Sequence, residues 1–262
     1  MGLTLLNREI PQNQYVRRIA NLAGYPLVCC NQAQLKSLLF DRIGEGKKSL
    51  VFFANSNFVV KCLGFRQAFQ AEDVIVLNDG IAVEAANWMI NGDHFVTNMN
   101  GTDLVPYLLL NAPRPFRIFL YGSRPDVVAQ AAKVYAQMGH NVVGFRDGFS
   151  CEDREVRAAI EYSEAELVLV ALGNPIQEQW ILRNARDLTA LTFIGVGALF
   201  DFASGTAIRA PNWMRRAHLE WLFRLLREPK RLARRYSVDM LRFFAICWRD
   251  RKVATTLARG QG

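Results

Sequence analysis

Six short apolar runs alternating with helix-length stretches constrain this chain more than any other feature of its sequence. The runs are Leu50–Ala54, Val74–Leu77, Phe116–Tyr121, Asn141–Phe145, Leu167–Leu172 and Leu191–Val196. Each is continuously apolar rather than alternating, the pattern of a strand covered on both faces. Between them lie segments such as Arg124–Met138, Glu152–Ser163 and Pro175–Asp187, long enough for three turns of helix. Ser150 with Asp153 approximates a capping box, and Pro175 suits a first helical turn. Such alternation predicts an α/β fold, a Rossmann-like, mostly parallel, doubly wound sheet.

Charge divides the chain in two. Residues 209–262 hold 14 Lys and Arg against 4 Asp and Glu, a net of +10, whereas residues 1–208 hold 18 against 20. We therefore read 1–208 as the α/β domain and 209–262 as a basic, amphipathic helical appendage that invites an anionic partner. With 51% apolar and 21% charged residues, a core can be buried and wholesale disorder is excluded. The five cysteines have no metal-type spacing and mostly sit in apolar runs, which reads as buried thiols in a reducing compartment. The first residues show no basic region followed by an apolar one, and no run reaches 18 apolar residues. A cytoplasmic protein that touches a surface is the expectation.

In the appendage, Pro229 starts a new helix, and Arg224, Arg227, Arg231 and Arg234 fall on one side if the helical path is continuous. Further on, Tyr236, Met240, Phe243, Phe244, Cys247 and Trp248 form an apolar stripe, with Arg235, Arg242 and Arg249 on another face. A basic amphipathic helix of this kind suits an anionic membrane surface, where each basic residue adds about 1 kcal/mol. The same stripe suits packing on the domain, or on a second copy of the chain in a homo-oligomer. Spacing alone leaves these open.

Ligands of open α/β sheets bind beyond the carboxyl ends of the strands. Polar residues and glycines stand there in this chain: Asn55-Ser56-Asn57, Asn78-Asp79-Gly80, Gly122-Ser123-Arg124, Gly173-Asn174-Pro175 with Gln177 and Glu178, and Gly197 with Asp201. One such cluster is an ordinary turn, whereas five converging on a crevice favour a site. Asp79, directly after an apolar strand, is the candidate general base, worth about 10²–10⁴ in rate. Taken by itself it reads first as the cap of the helix that begins beside it. Thr102 and Asp103 stand near the start of a helical run, where a phosphate or a plain cap fits. Gln177 and Glu178 occupy a first helical turn, and Asp201 follows a glycine-rich turn.

Several chemistries fail on inspection. There is no G-x-G-x-x-G, P-loop or G-x-S-x-G, and the three histidines are scattered. No Asp-x-Asp pair offers a metal clamp for a diphosphate. No cofactor or metal is expected, and arginines with helix N-termini must hold any diphosphate.

The motifs Asn55, Asn78–Ile81, Gly101–Asp103, Gly173–Trp180, Gly195–Asp201, Arg209–Pro211 and Leu219–Leu225, in this order, resemble the WecG/TagA/CpsF family of bacterial glycosyltransferases. The resemblance runs from about Asn55 to Tyr236. It implies an inverting transfer from a UDP-sugar donor to a polyprenyl-diphosphate-linked sugar, by an enzyme peripheral to the inner face of the cell membrane. It implies Asp79 as base and Asn55, Gln177 and Asp201 as pocket residues. We add Thr102, Asp103 and Arg209 to that donor and acceptor set. Arg224, Arg227 and Arg231 match the arginines that the family's basic appendage brings over the site when it docks on the membrane.

The wording is most similar to the xanthan-type exopolysaccharide β-1,4-glucosyltransferases of that family, which implies glucose as the sugar. The alternatives are N-acetylmannosamine, its uronic acid or galactose. The chain has Phe53 where the family often has Thr, and Asn98 where it often has Arg; both lie where a sugar is read. A nucleic-acid-binding protein gripping phosphates with its tail is the competing class. Aromatics on an apolar stripe rather than among the arginines speak against it, so no nucleic-acid partner is expected. A structural subunit docking through the tail is a further alternative.

Overall fold

The computed structural model describes residues 18–216 and 219–259, without the side chains of Asn212, Arg216, Arg231, Arg235 and residues 252–259. The N-terminal residues read above for a secretory signal lie outside the described ones. In chain order the strands are β1 (Arg18–Leu22), β2 (Tyr25–Cys29), β3 (Ser49–Ala54), β4 (Val74–Asn78), β5 (Arg117–Gly122), β6 (Asn141–Arg146), β7 (Leu167–Ala171) and β8 (Thr192–Gly195). The helices are α1 (Gln32–Gly44), α2 (Ser56–Lys61), α3 (Ile81–Asn91), α4 (Gly101–Leu110), α5 (Pro125–Gln137), α6 (Asp153–Tyr162), α7 (Ile176–Asn184) and α8 (Leu199–Ala203) in the α/β part. The tail adds α9 (Asn212–Arg216), α10 (Glu220–Arg227), α11 (Pro229–Tyr236) and α12 (Val238–Arg259).

The sheet order is β1-β2-β4-β3-β8-β7-β5-β6. Only β1 runs antiparallel; every other neighbouring pair is parallel. Continuous apolar strands force a doubly covered sheet, because successive side chains point to opposite faces. Phe52 and Ala54 of β3 join a core with residues of α2, α3, α6, α7 and α12, while Val51 and Phe53 join one with α1, α4, α5 and α8. The expected α/β, Rossmann-like, mostly parallel sheet is present.

All six expected strands form. The β1–β2 hairpin was not expected. Its two turn residues, Ala23 (φ 54°) and Gly24 (φ 77°), both take left-handed conformations, as a tight hairpin requires. An Ala-Gly turn lacks the usual Asn-Gly or Asp-Gly mark, and Pro26 inside β2 argues against a strand. The cap of α6 lies two residues beyond the expected Ser150: Glu152 precedes the helix, and its N–H donates to Glu155 Oε2 at 3.4 Å. Ser150 instead donates its N–H to Asp147 Oδ1.

The tail is not one continuous helix. The backbone breaks at Glu228 (φ −130°, ψ 56°) and Ser237 (φ −113°, ψ −86°), so Arg224 and Arg227 belong to α10 and Arg231 and Arg234 to α11. The apolar stripe packs mainly on the α/β part: Phe243 and Cys247 are fully buried, with Met240 and Phe244 against the same core. Burying Phe243 contributes about 1.5–3 kcal/mol. An Arg66–Asp250 ion pair of 2.7 Å reinforces the seam. Among the described residues no helix is long and apolar enough to cross a membrane. Trp248 of the apolar stripe stays exposed, as do Trp213 on α9 and Trp221 on α10.

Candidate active site at the carboxyl ends of the strands

Asn55 and Asp79 leave the adjacent strands β3 and β4 side by side, because the two strands are parallel and in register from Leu50/Val74 to Ala54/Asn78. The Asp79 N–H continues the ladder onto Ala54 O at 2.9 Å. Asn55 then does two things with one amide. Its Oδ1 accepts from Phe58 N at 3.1 Å and caps α2, and its Nδ2 donates to Asp79 Oδ2 at 3.2 Å.

Asp79 does not cap α3. The residue before that helix is Gly80, at φ 90°, and no side chain caps there. The Gly80 N–H goes to Asn98 Oδ1 at 2.9 Å. The half-buried Asp79 carboxylate is therefore held by Asn55 and not spent on the helix.

Residues 97–100 clamp this strand end. Asn78 donates to Thr97 O (3.0 Å), and Met99 N–H donates to Asn78 O (3.0 Å). Asn100 caps α4, accepting from Asp103 N at 2.9 Å, so Thr102 and Asp103 lie in the first turn rather than at the cap. Gly101 has no room for a side chain: a Cβ there would stand 2.8 Å from the Phe53 ring. Phe53 and Asn98, the two departures from the family's pattern, thus brace the starts of α4 and α3.

Asp103 joins the α/β part to the tail. Its Oδ1 pairs with Arg209 at 2.7 Å and Arg215 at 3.2 Å, and its Oδ2 accepts from Asn100. Burial alone would raise this carboxyl; the hydrogen bonds from Arg209 and Asn100 and the two guanidinium charges hold it below the usual carboxylate range. Arg209 stacks over Phe202 of α8 at 6.0 Å, and Arg224 of α10 over the same ring at 5.2 Å. Arg209 Nε and Nη2 are buried and meet no acceptor among the described residues. Arg227 lies over Phe223, further along α10 and exposed. The side chain of Arg231 lies outside the described residues.

Gln177 is buried at the start of α7, and its Oε1 accepts from Gly173 N (3.1 Å) and Gly197 N (3.0 Å), tying the ends of β7 and β8 together. Asp201 sits half-buried in α8, one residue before Phe202. Asn55, Asp79, Gln177 and Asp201 thus follow the carboxyl ends of the neighbouring strands β3, β4, β7 and β8, with Thr102 and Asp103 on α4 and Arg209, paired to Asp103, after α8. Arg215 and Phe202 were not singled out from sequence. The Arg215-Arg216 pair just past Pro211 is the only sequence signal that points to the former. Among the described residues no three His, Cys, Asp or Glu side chains are grouped to hold a metal.

Residues 20–256 match the model of the glycosyl transferase WecG/TagA/CpsF family. A curated relative from Bacillus spizizenii, named N-acetylglucosaminyldiphosphoundecaprenol N-acetyl-beta-D-mannosaminyltransferase, is 35% identical over 166 residues. The match spans 62% of this chain and 64% of the relative's length. The relative's name is mannosaminyl, not the glucosyl that the wording of the sequence led us to expect. With the family model covering nearly the whole described chain, this protein belongs to the WecG/TagA/CpsF family of glycosyl transferases.

Proposed function

We propose that the protein is an inverting glycosyltransferase that moves N-acetylmannosamine from its UDP-activated form to an N-acetylglucosaminyl polyprenyl diphosphate. The Asn55–Asp79 pair carries the mechanism: a carboxylate released from helix capping and oriented by an amide at a strand end. Asp79 takes the proton of the acceptor hydroxyl, and the hydroxyl oxygen attacks the anomeric carbon in line. One displacement inverts that carbon, and the nucleoside diphosphate leaves.

Charge builds on the departing diphosphate, and preorganised donors there lower the barrier most. Arg209, with two buried donors lacking an acceptor, and Arg224 on the same Phe202 ring fit that task, with Arg227 and Arg231 next along the tail. Bidentate guanidinium contacts take the place of a metal in this reading. Thr102, Gln177 and Asp201 orient the two sugars, directly or by holding the loops. In this reading the exposed Trp213 and Trp221, with the exposed Arg227 and Arg234, meet an anionic membrane. The sugar identity rests on the relative's name.

A donor panel tests it. The purified protein is given an N-acetylglucosaminyl polyprenyl diphosphate in vesicles, with chelator, and labelled UDP-N-acetylmannosamine, UDP-glucose or UDP-galactose. Transfer from the first alone is expected. Transfer from UDP-glucose alone would restore the xanthan-type reading of the sequence and remove this one.

A further inference from the structure

Glu178 is a carboxyl that the mechanism above does not use. It stands on the first turn of α7 and is 1% exposed. Its Oε1 accepts from Asn174 Nδ2 at 2.6 Å and from Gln177 Nε2 at 2.9 Å, while its Oε2 is buried without a hydrogen-bond partner. Each amide continues the chain. Asn174 Oδ1 accepts from Asn57 Nδ2 of α2 at 3.2 Å, and Gln177 Oε1 holds the N–H groups of Gly173 and Gly197. Both glycines take left-handed conformations, φ 75° and 55°, so each loop has a shape that most other residues cannot adopt. One buried carboxyl thereby links the carboxyl-end loops of β3, β7 and β8.

Left unmatched, a buried oxygen of this kind is costly, and a fully connected polar network is what makes such a group tolerable. Glu178 is matched on one oxygen only. We propose that Glu178 is a positioning residue: through Asn174 and Gln177 it sets the spacing of the Gly173 and Gly197 loops, and with it the affinity for the sugar nucleotide. The part concerning the sugar nucleotide rests on the proposed function.

The network also titrates. Burial raises the Glu178 carboxyl to about 7, against the pull of the Gln177 and Asn174 hydrogen bonds. Strands β3, β7 and β8 bring no ionisable side chain to α7. Elsewhere along the helix Asp153 of α6 accepts from Trp180 and Asn184, Tyr121 of β5 lies against Trp180, and Arg186 and Asp187 follow its end. Cys62 at the end of α2 feels the Glu178 charge, but burial first of all raises that thiol well above its ordinary range, so it stays neutral. Ionised, Glu178 pulls harder on both amides, since a charged acceptor makes the stronger hydrogen bond. The loops are held more firmly above neutrality than below it.

Two measurements on the full chain test the proposal. In the first, the backbone amide resonances of Gly173 and Gly197 are followed by NMR from pH 5.5 to 8.5. They move with a midpoint near 7 in the wild type and stay still in Glu178→Gln, which keeps an acceptor oxygen but cannot ionise. Resonances that do not titrate, or that titrate equally in Glu178→Gln, overturn it whether or not the protein transfers a sugar. In the second, Glu178→Ala raises the KM for UDP-N-acetylmannosamine about tenfold, the equivalent of one lost hydrogen bond to a charged group, with kcat within about threefold. Glu178→Gln restores the KM at pH 6 but removes its pH dependence. A fall in kcat with KM unchanged in both variants also overturns it. Absence of transfer by the wild type counts against the proposed function alone, and the NMR measurement then decides Glu178.

Discussion

Asn55 donates from its amide nitrogen to Asp79 across 3.2 Å while its amide oxygen closes the N-terminus of α2. Fold and chemistry share one side chain here. Asn55→Ala removes the cap, costing about 1 kcal/mol of stability, and frees the Asp79 carboxylate to rotate. Asn55→Asp keeps an oxygen for the Phe58 N–H but loses the donor and places a second carboxylate beside the first. We expect Asn55→Ala to fall in both melting temperature and kcat, and Asn55→Asp to keep most of its stability while losing at least tenfold in kcat, a loss within the range of a misplaced base. Chemical denaturation and initial rates on the same preparations check this.

Asp103 makes the joint between α4 and the tail depend on pH. Its folded carboxyl lies below the ordinary carboxylate range, so it stays ionised in the fold where the unfolded chain begins to take up protons. Its contribution is fully present above the unfolded value and is lost as pH falls through the folded one. The stability gap between wild type and Asp103→Asn is expected to be constant at neutral pH and to close in acid below about pH 4. Urea melts at a series of pH values measure it. A gap that widens in acid would contradict the assignment.

Phe53 and Gly101 are coupled by contact. A Cβ at residue 101 meets the Phe53 ring at 2.8 Å, and overpacking of this kind costs about 1–3 kcal/mol. Gly101→Ala should lose that much, and Phe53→Leu in the same chain should return part of it. A double-mutant cycle reads the coupling. Strictly additive losses would show that the ring does not limit residue 101.

Phe243 is where the tail meets the α/β part. Its side chain is fully buried among residues of that core, and truncation to Ala costs about 3–5 kcal/mol. Phe243→Ala is therefore expected to lower the melting temperature of the whole chain in one transition. A separate, earlier transition confined to the tail would contradict the packing of α12 on α2 and α3.

These contrasts also show how far the sequence could be read. Five of the six apolar strands were legible because a doubly covered strand has no polar face, while the edge strand β6, half-exposed, showed only as a short apolar run; Asp79 stood out because it follows one of the covered strands. The β1–β2 hairpin was not legible, since its register depends on a turn that Ala23 can form only under tertiary constraint. Spacing could not separate a membrane-facing stripe from a buried one on α12, because both need the same periodicity; the Arg66–Asp250 pair and the α2 surface decide it. Gln177 was visible as a polar residue on a first turn, but its partners Gly173 and Gly197 come from two different strand ends. Only the fold brings them together. Glu178 was visible only as an acid on the same first turn, since nothing in the sequence reports burial.

Asp79 is the proposed base, and one comparison tests that role directly. Wild type and Asp79→Asn are assayed with labelled UDP-N-acetylmannosamine and an N-acetylglucosaminyl polyprenyl diphosphate, with melting temperatures and donor binding measured on the same samples. Asp79 caps no helix, so the variant should fold and bind donor as the wild type does. Its kcat should fall by about 10²–10⁴. A variant that is equally stable and transfers the sugar at the wild-type rate would show that the proton goes elsewhere, and the mechanism would have to be abandoned.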